Sequence, residues 1–193
     1  MNPLLIHQYL ERLSNLLRND LRKFGKQYGL QPVHVSVLHY LALCNRFSDT
    51  PLSVTEYLGL SRGTVSQTII ILENKGLIEK RRDPQDRRVI HLALTPQGKN
   101  WVDKTMPAPI LEKACHALPA DQHNQILDAL KLILHSCQQA NAMKSFGVCY
   151  SCRYHQIRST SDFYCALTQQ PLSVDDAQKI CREHSAQVEE VEA

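Results

Sequence analysis

The sequence predicts a mainly α-helical protein with one small β-hairpin, followed by a short cysteine-rich extension. Three observations carry that reading. Apolar residues recur at steps of three and four through most of the first 140 residues, the period of helices with one buried face. Residues 77 to 94 break that period with two short alternating runs around a turn-rich segment, as a hairpin does. Four of the seven cysteines crowd into residues 149 to 181. A chain of 193 residues has room for one good core, or for one domain with a small appendage.

The elements follow in order. Leu10, Leu13, Leu17, Leu21 and Phe24 form one helical stripe, which Gly25 and Gly29 are expected to end. Pro32 opens a second helix carrying Val35, Leu38, Leu41 and Leu43. Ser53, with Glu56 three residues later, has the spacing of a capping box. Gly59 closes that short helix, and Ser61 caps another whose inner stripe is Val65, Ile69 and Leu72, stopped at Gly76. Two helices around a tight glycine turn, over about residues 53–76, have the form of a helix-turn-helix.

Residues 77 to 82 and 88 to 94 read as strands, the second alternating Ile90, Leu92 and Leu94 on one face. Between them stands Asp83-Pro84-Gln85-Asp86-Arg87, flanked by Lys80, Arg81, Arg82 and Arg88. A helix-turn-helix followed by such a basic wing, about residues 77–94, is a winged helix. Its second helix can fill a major groove while the wing reaches the neighbouring minor groove. Thr95-Pro96 starts a further helix running toward Leu118 past Trp101 and Met106, with Pro107 and Pro109 expected to bend or break it. Asp121 starts a last one bearing Leu127, Leu130, Leu134 and Cys137. The terminal helices carry apolar stripes with no partner in so small a domain, which predicts a homodimer.

Composition narrows the function. Apolar content of 43% and charged content of 21% are those of a globular chain. The net charge of +3 is too small to identify a nucleic-acid binder, so its placement on the wing matters more. No apolar run is long enough to span a bilayer, and MNPLLIHQYLERL reaches Glu11 without a signal-peptide layout. A cytoplasmic location without membrane contact is therefore expected, and there clustered cysteines point to metal or redox chemistry before disulfides. No glycine-rich phosphate loop, paired carboxylates or Ser/His/Asp spacing stands out, so an enzyme is not expected.

The run LSRGTVSQTIIILENKGLIEKRRDPQDRRVIHLALTPQG resembles the MarR family of bacterial transcriptional regulators. The likeness lies in Leu72-Glu73, Lys75-Gly76-Leu77-Ile78, an Asp-rich wing ending in Asp-x-Arg at Asp86 and Arg88, and Leu94-Thr95 with Gly98. It covers roughly residues 1–145. It implies a homodimer with interleaved first and last helices, bound to a near-palindromic operator in double-stranded DNA, usually as a repressor. It also implies a small-molecule effector site between the dimer helices and the winged domain, which offers an alternative source of the signal.

Candidate DNA contacts come from the exposed start of the second helix: Ser61, Arg62, Thr64, Ser66 and Gln67 all carry hydrogen-bond donors. Arg62 suits guanine, whose two acceptors match its fork. Lys80 and Arg81 suit phosphates. In the wing the resemblance assigns Asp86 to bracing the turn, while Arg87 or Arg88 enters the minor groove.

Residues 146–193 form the extension, joined by Lys144 to Val148. Its cysteines stand as Cys149-x2-Cys152-x12-Cys165-x15-Cys181, with His155 and His184 three residues beyond Cys152 and Cys181. An x2 pair places two thiolates on one knuckle, as zinc and iron-sulfur centres both use. The spacer, with Arg153, Arg158, Ser159, Thr160, Ser161 and Asp162, is too polar for a core of its own, so a metal is expected to hold it. One knuckle followed by two single cysteines favours an iron-sulfur cluster, of four irons by its resemblance to the spacing of high-potential iron proteins. Structural Zn2+ is the alternative, and either histidine could replace a cysteine. A cluster would make the extension a sensor of redox state, iron or oxygen acting on operator binding, whereas zinc would make it a brace.

Overall fold

The computed structural model describes residues 2–140 and 144–186. Residue 1, residues 141–143 and residues 187–193, which belong to the expected units 1–145 and 146–193, lie outside the described residues.

Helix α1, Pro3–Gln27, starts where the Asn2 side chain accepts a hydrogen bond from the Leu5 amide. It does not stop at Gly25, as the sequence led one to expect. Gly25 is buried inside the helix and pressed on the Leu30 carbonyl, and the roughly 1 kcal/mol that one helical glycine costs is offset by that close packing. Gly29, at φ +62°, then lets the chain turn into α2, Pro32–Leu43. This helix is the centre of the core: Val35, Val37, Leu38, Tyr40 and Leu41 are all buried.

Helix α3, Pro51–Leu58, also begins differently from expectation. Its cap is Thr50, whose hydroxyl accepts from the Ser53 amide at 3.3 Å. Proline prefers the first helical position, so Pro51 moves the cap one residue ahead of itself and places Ser53 inside the helix, fully buried. Gly59 at φ +63° makes the tight turn that a residue with a Cβ would resist. Helix α4, Arg62–Asn74, follows, with Ser61 accepting from the Thr64 amide at 3.1 Å.

Strands β1 (Ile78–Arg82) and β2 (Ile90–Leu94) pair antiparallel from Ile78 opposite Leu94 to Arg82 opposite Ile90. They are shorter than the expected runs because Arg88 and Val89 belong to the turn, where the Val89 amide donates to the Asp86 carbonyl. Helix α5, Pro96–Asp103, is capped by Thr95, whose hydroxyl accepts from the Gly98 amide and donates to the Gly76 carbonyl. The two prolines break rather than bend the next stretch, and α6 is Pro109–Ala117. Asp121 falls in a 3-10 turn, Ala120–Gln122, ahead of α7, His123–Ala140.

Buried side chains from α2, α3, α4, α5 and both strands form one core, including Val54, Val65, Ile69, Leu72, Leu92 and Trp101. The terminal helices are the contrast. Leu5, Tyr9, Leu10 and Leu13 on α1, and Ile126, Leu127, Leu130 and Leu134 on α7, are exposed, a continuous apolar expense for a lone chain in water.

After residue 144 the chain returns to the core. Phe146 is buried, with ring centroids 5.2 Å from Tyr57 and 6.4 Å from Tyr40. A small lobe follows: strands β3 (His155–Ser159), β4 (Asp162–Cys165) and β5 (Gln170–Leu172) in a meander, then α8, Val174–Gln178. The lobe is fastened to the loop between α2 and α3. The Ile180 amide donates to the Leu43 carbonyl and the Asn45 amide to the Ile180 carbonyl, both at 3.0 Å. Among the described residues no helix is long and apolar enough to cross a membrane.

Candidate nucleic-acid interface and thiol pocket

Helix α4 buries Val65, Thr68, Ile69 and Leu72 against the core. The 3.6-residue period then leaves Arg62, Ser66, Gln67 and Ile70 outside, and all four are exposed. Arg62 and Ser66 line one wall of an open groove of about 520 Å³ that Pro51, Leu52, Thr55, Lys80 and Ile90 complete. Ser61 and Thr64 are committed to each other as well as to the cap, their hydroxyls 2.9 Å apart. Their donors are thus partly spent inside the protein, whereas Arg62, Ser66 and Gln67 carry no side-chain partner among the described residues.

The wing is organised by aspartates. Asp83 accepts from the amides of Gln85 and Asp86 at 2.7 Å each, an Asx turn. Asp86 takes Arg88 in a two-pronged pair at 3.0 and 2.9 Å and also accepts the Arg88 amide. Arg87 is exposed and has no ion pair among the described residues, so it is the freer guanidinium at the tip. Lys80 pairs with Glu73 at 2.6 Å, and Arg81 pairs with Glu79. These exposed pairs are weak and would exchange readily for a phosphate.

Sequence reasoning missed His91. Its Nδ1 meets Asp49 Oδ1 at 2.5 Å and its Nε2 meets Asp83 Oδ2 at 3.2 Å, tying the wing turn to the loop before α3. Burial opposes a charge on this ring, but Asp49 and Asp83 outweigh it and raise the His91 pKa above its ordinary value. A raised histidine pKa contributes stability that is fully present below the unfolded value and is lost as pH rises through the folded one. Asp49, raised by burial, acts with the same sign at lower pH. Asp83, held down chiefly by the Asp86 amide, acts oppositely in acid. Amide protection in residues 83 to 91, taken relative to the intrinsic base-catalysed exchange rate, should therefore fall as pH rises through the elevated His91 value. His91→Gln should show little of that loss of protection, and equal protection profiles would refute the anchor.

The thiols form a second site. Cys149, Cys152, Cys165 and Cys181 line one enclosed cavity of about 20 Å³, with Phe47, Tyr154, Leu167 and Leu172 among its apolar walls. Four segments bring them there: the short 3-10 turn at Cys149–Ser151, the residue after it, the end of β4 and the segment after α8. Cys149 and Cys152 are buried, and Cys165 and Cys181 are half-buried. Burial, then the Cys181, Cys165 and Cys152 sulfurs, push the Cys149 thiol up to about 12.

The four cysteines expected to bind a metal do not close on a point: among the described residues no three His, Cys, Asp or Glu side chains are gathered as the ligands of one metal ion. They surround a hollow instead. Neither histidine takes a cysteine's place. Both ring nitrogens of His184 are occupied by hydroxyls, Ser145 at 2.6 Å and Ser151 at 3.1 Å. His155 stands behind Cys149, its Nδ1 3.8 Å from the sulfur, and rests against Phe163. The Ser185 amide donates to Cys152 Sγ at 3.5 Å. Of the other cysteines Cys44 is buried, while Cys115 on α6 and Cys137 on α7 are exposed.

Three buried side-chain nitrogen or oxygen atoms lack a partner among the described residues: Asn45 Nδ2, Trp101 Nε1 and Thr168 Oγ1. Asn45 and Thr168 both line the thiol cavity.

A short helix, a tight turn, a second helix with a polar outer face and a paired basic hairpin behind it define the winged helix-turn-helix class. Residues 28–89 match the MarR family model, so over that stretch the chain is similar to the MarR family. It is 29% identical over 134 residues to the Bacillus subtilis (strain 168) HTH-type transcriptional regulator YkoM, covering 63% of this chain and 86% of that protein. A MarR transcriptional regulator from Methanosarcina mazei Go1 shares the fold with a TM-score of 0.60 at 20% identity, over 70% of this chain and 98% of its own. MepR of S. aureus, in a complex with DNA, does so with a TM-score of 0.54 at 23% identity, over 67% and 96%.

Proposed function

We propose that the protein is a dimeric, DNA-binding transcriptional regulator, not an enzyme, whose C-terminal lobe holds an iron-sulfur cluster on Cys149, Cys152, Cys165 and Cys181. The DNA-binding part rests on the exposed polar face of α4 beside the wing, and on the likeness to an HTH-type transcriptional regulator and to a fold seen in complex with DNA. The dimer rests on the bare apolar faces of α1 and α7, which a second copy would cover. In such a dimer two α4 helices reach successive major grooves, so the operator is near-palindromic.

The observation that carries the site is four thiols lining one small cavity, and the order of one x2 pair followed by two single cysteines favours a cluster over zinc. The unpaired Asn45 and Thr168 side chains offer polar contacts to a sulfur-rich anion, and the aromatic and aliphatic walls keep water out. Bound there, the cluster supplies a charge that changes with oxidation and a centre that can be lost. Spectra, iron, sulfide and zinc analysis of protein purified without oxygen test this. Iron matched by sulfide supports it, and a colourless protein with one zinc per chain defeats it.

Selection of duplexes from a random library tests the DNA reading. A palindromic consensus is expected from the full-length protein. Arg62→Ala should then cost about 1–3 kcal/mol at one position of each half-site, the usual value of a two-pronged base contact. A uniform loss over all sequences would instead move Arg62 to the phosphates.

A further inference from the structure

Asn45 belongs to the loop between α2 and α3, yet it faces the thiols. It is 1% exposed. Its Oδ1 takes two donors, the Phe47 amide at 3.2 Å and the Ser48 hydroxyl at 2.9 Å. An amide oxygen already saturated in this way fixes which end of the side chain is nitrogen. Nδ2 is then left without a partner among the described residues, and Asn45 lines the cavity of the four cysteines. A buried donor left unpaired is costly, and thiolate or sulfide is the acceptor that this cavity would provide.

The same residue begins a hydrogen-bonded route to the DNA-binding helices. Ser48, which donates to Asn45, accepts the Arg182 amide at 2.8 Å. Arg182 follows Cys181, and its guanidinium holds both carboxylate oxygens of Glu56 at 2.7 Å. Glu56 lies on α3, the first helix of the helix-turn-helix, and Lys144 approaches it at 3.4 Å. On the other side of Cys181, Ile180 pairs with Leu43 and Asn45 through its backbone.

We propose that Asn45 is a donor to the sulfur cage, so that the centre is shared between lobe and DNA-binding module and its presence is transmitted to α3 through Ser48 and the Arg182–Glu56 pair. This rests on the metal-thiolate reading above. It differs from a lobe that acts on the dimer helices, because the contacts run to α3. Emptying the cage leaves Asn45 unpaired, frees the segment around Cys181 and loosens the helix that supports α4.

The test uses full-length protein purified without oxygen, as wild type, Asn45→Ala, Ser48→Ala and Arg182→Gln. Metal content is measured first, then the midpoint potential of the iron centre, then amide exchange over α3 before and after a chelator removes the metal. A hydrogen bond to sulfur raises a cluster's potential, so Asn45→Ala should be harder to reduce than wild type. Wild-type α3 should exchange several-fold faster once the metal is gone. Arg182→Gln should keep the wild-type potential, and its α3 should exchange alike with and without metal. An unchanged potential in Asn45→Ala, or wild-type α3 exchange indifferent to metal removal, overturns the proposal. If Asn45→Ala does not fold, Ser48→Ala, which frees the Asn45 amide to rotate, should lower the potential in its place, and an unchanged value there counts against it equally. A preparation holding zinc and no iron ends the iron-sulfur reading, but the α3 comparison on zinc removal still decides this one. A chain that takes up neither metal defeats both.

Discussion

Replacing Cys149 and Cys152 together by serine is expected to empty the thiol cavity and unfold the lobe while the winged core survives. Apart from these two cysteines, the lobe beyond Phe146 buries only Leu172 and Ala177 among its described apolar residues. A unit of this size with so small a core needs a staple. Where a metal-thiolate site supplies it, binding contributes on the order of 10 kcal/mol, the value known for structural zinc peptides. Limited proteolysis should open new cuts between residues 150 and 180, with the fragment spanning α1 to α5 resistant. Far-ultraviolet dichroism should change little, because most helix lies outside the lobe. A double variant as resistant as wild type would show that the meander folds without its thiols.

Gly98→Ala should be the most damaging single change in the winged core. A Cβ there would sit 2.0 Å from the Leu77 carbonyl oxygen and 3.0 Å from its carbon, and both belong to backbone that cannot swing aside. The Leu77 carbonyl is also held by the Thr95 amide, so the start of α5 and the entry to β1 move together or not at all. Overpacking of this kind costs about 3 kcal/mol or more, read as a lower denaturant midpoint at unchanged slope. Gly63→Ala is the control. Its Cβ meets only Ser61 Oγ, at 3.8 Å, so stability should stay level or rise by about 0.5–1 kcal/mol. Equal effects at the two glycines would mean that the Leu77 contact does not limit the fold.

The helix-turn-helix and wing were legible in the sequence because their signals are local. Ser61 caps α4, Thr95-Pro96 opens α5, and the alternation of Ile90, Leu92 and Leu94 marks β2. The four thiols were legible as a group through their spacing, although spacing could not give their separation. What escaped depends on distant partners. His91 looks like an ordinary strand residue until Asp49 and Asp83 are brought to its two nitrogens. Glu56, three residues after Ser53, looks like a capping residue, yet it serves Arg182 from the far end of the chain. Gly25 looks like a stop signal, and only the approach of Leu30 explains why a glycine sits inside α1. Nor does any local signal reveal that Phe146 carries the lobe back to the core, against Tyr57 and Tyr40.

The fastening of the lobe also sets an order of assembly. Arg182 and Ser48 are 134 residues apart in sequence, whereas the winged core, apart from Phe146, joins residues 30 to 102. During synthesis that core can close while the lobe is still inside the ribosome, since domains form as their segments emerge. Docking of the lobe is then the last event, made onto a surface already built, and the loop around Asn45 waits solvent-exposed until it comes. Every newly made chain thus passes through a period in which its DNA-binding module is folded and its thiols are not yet seated.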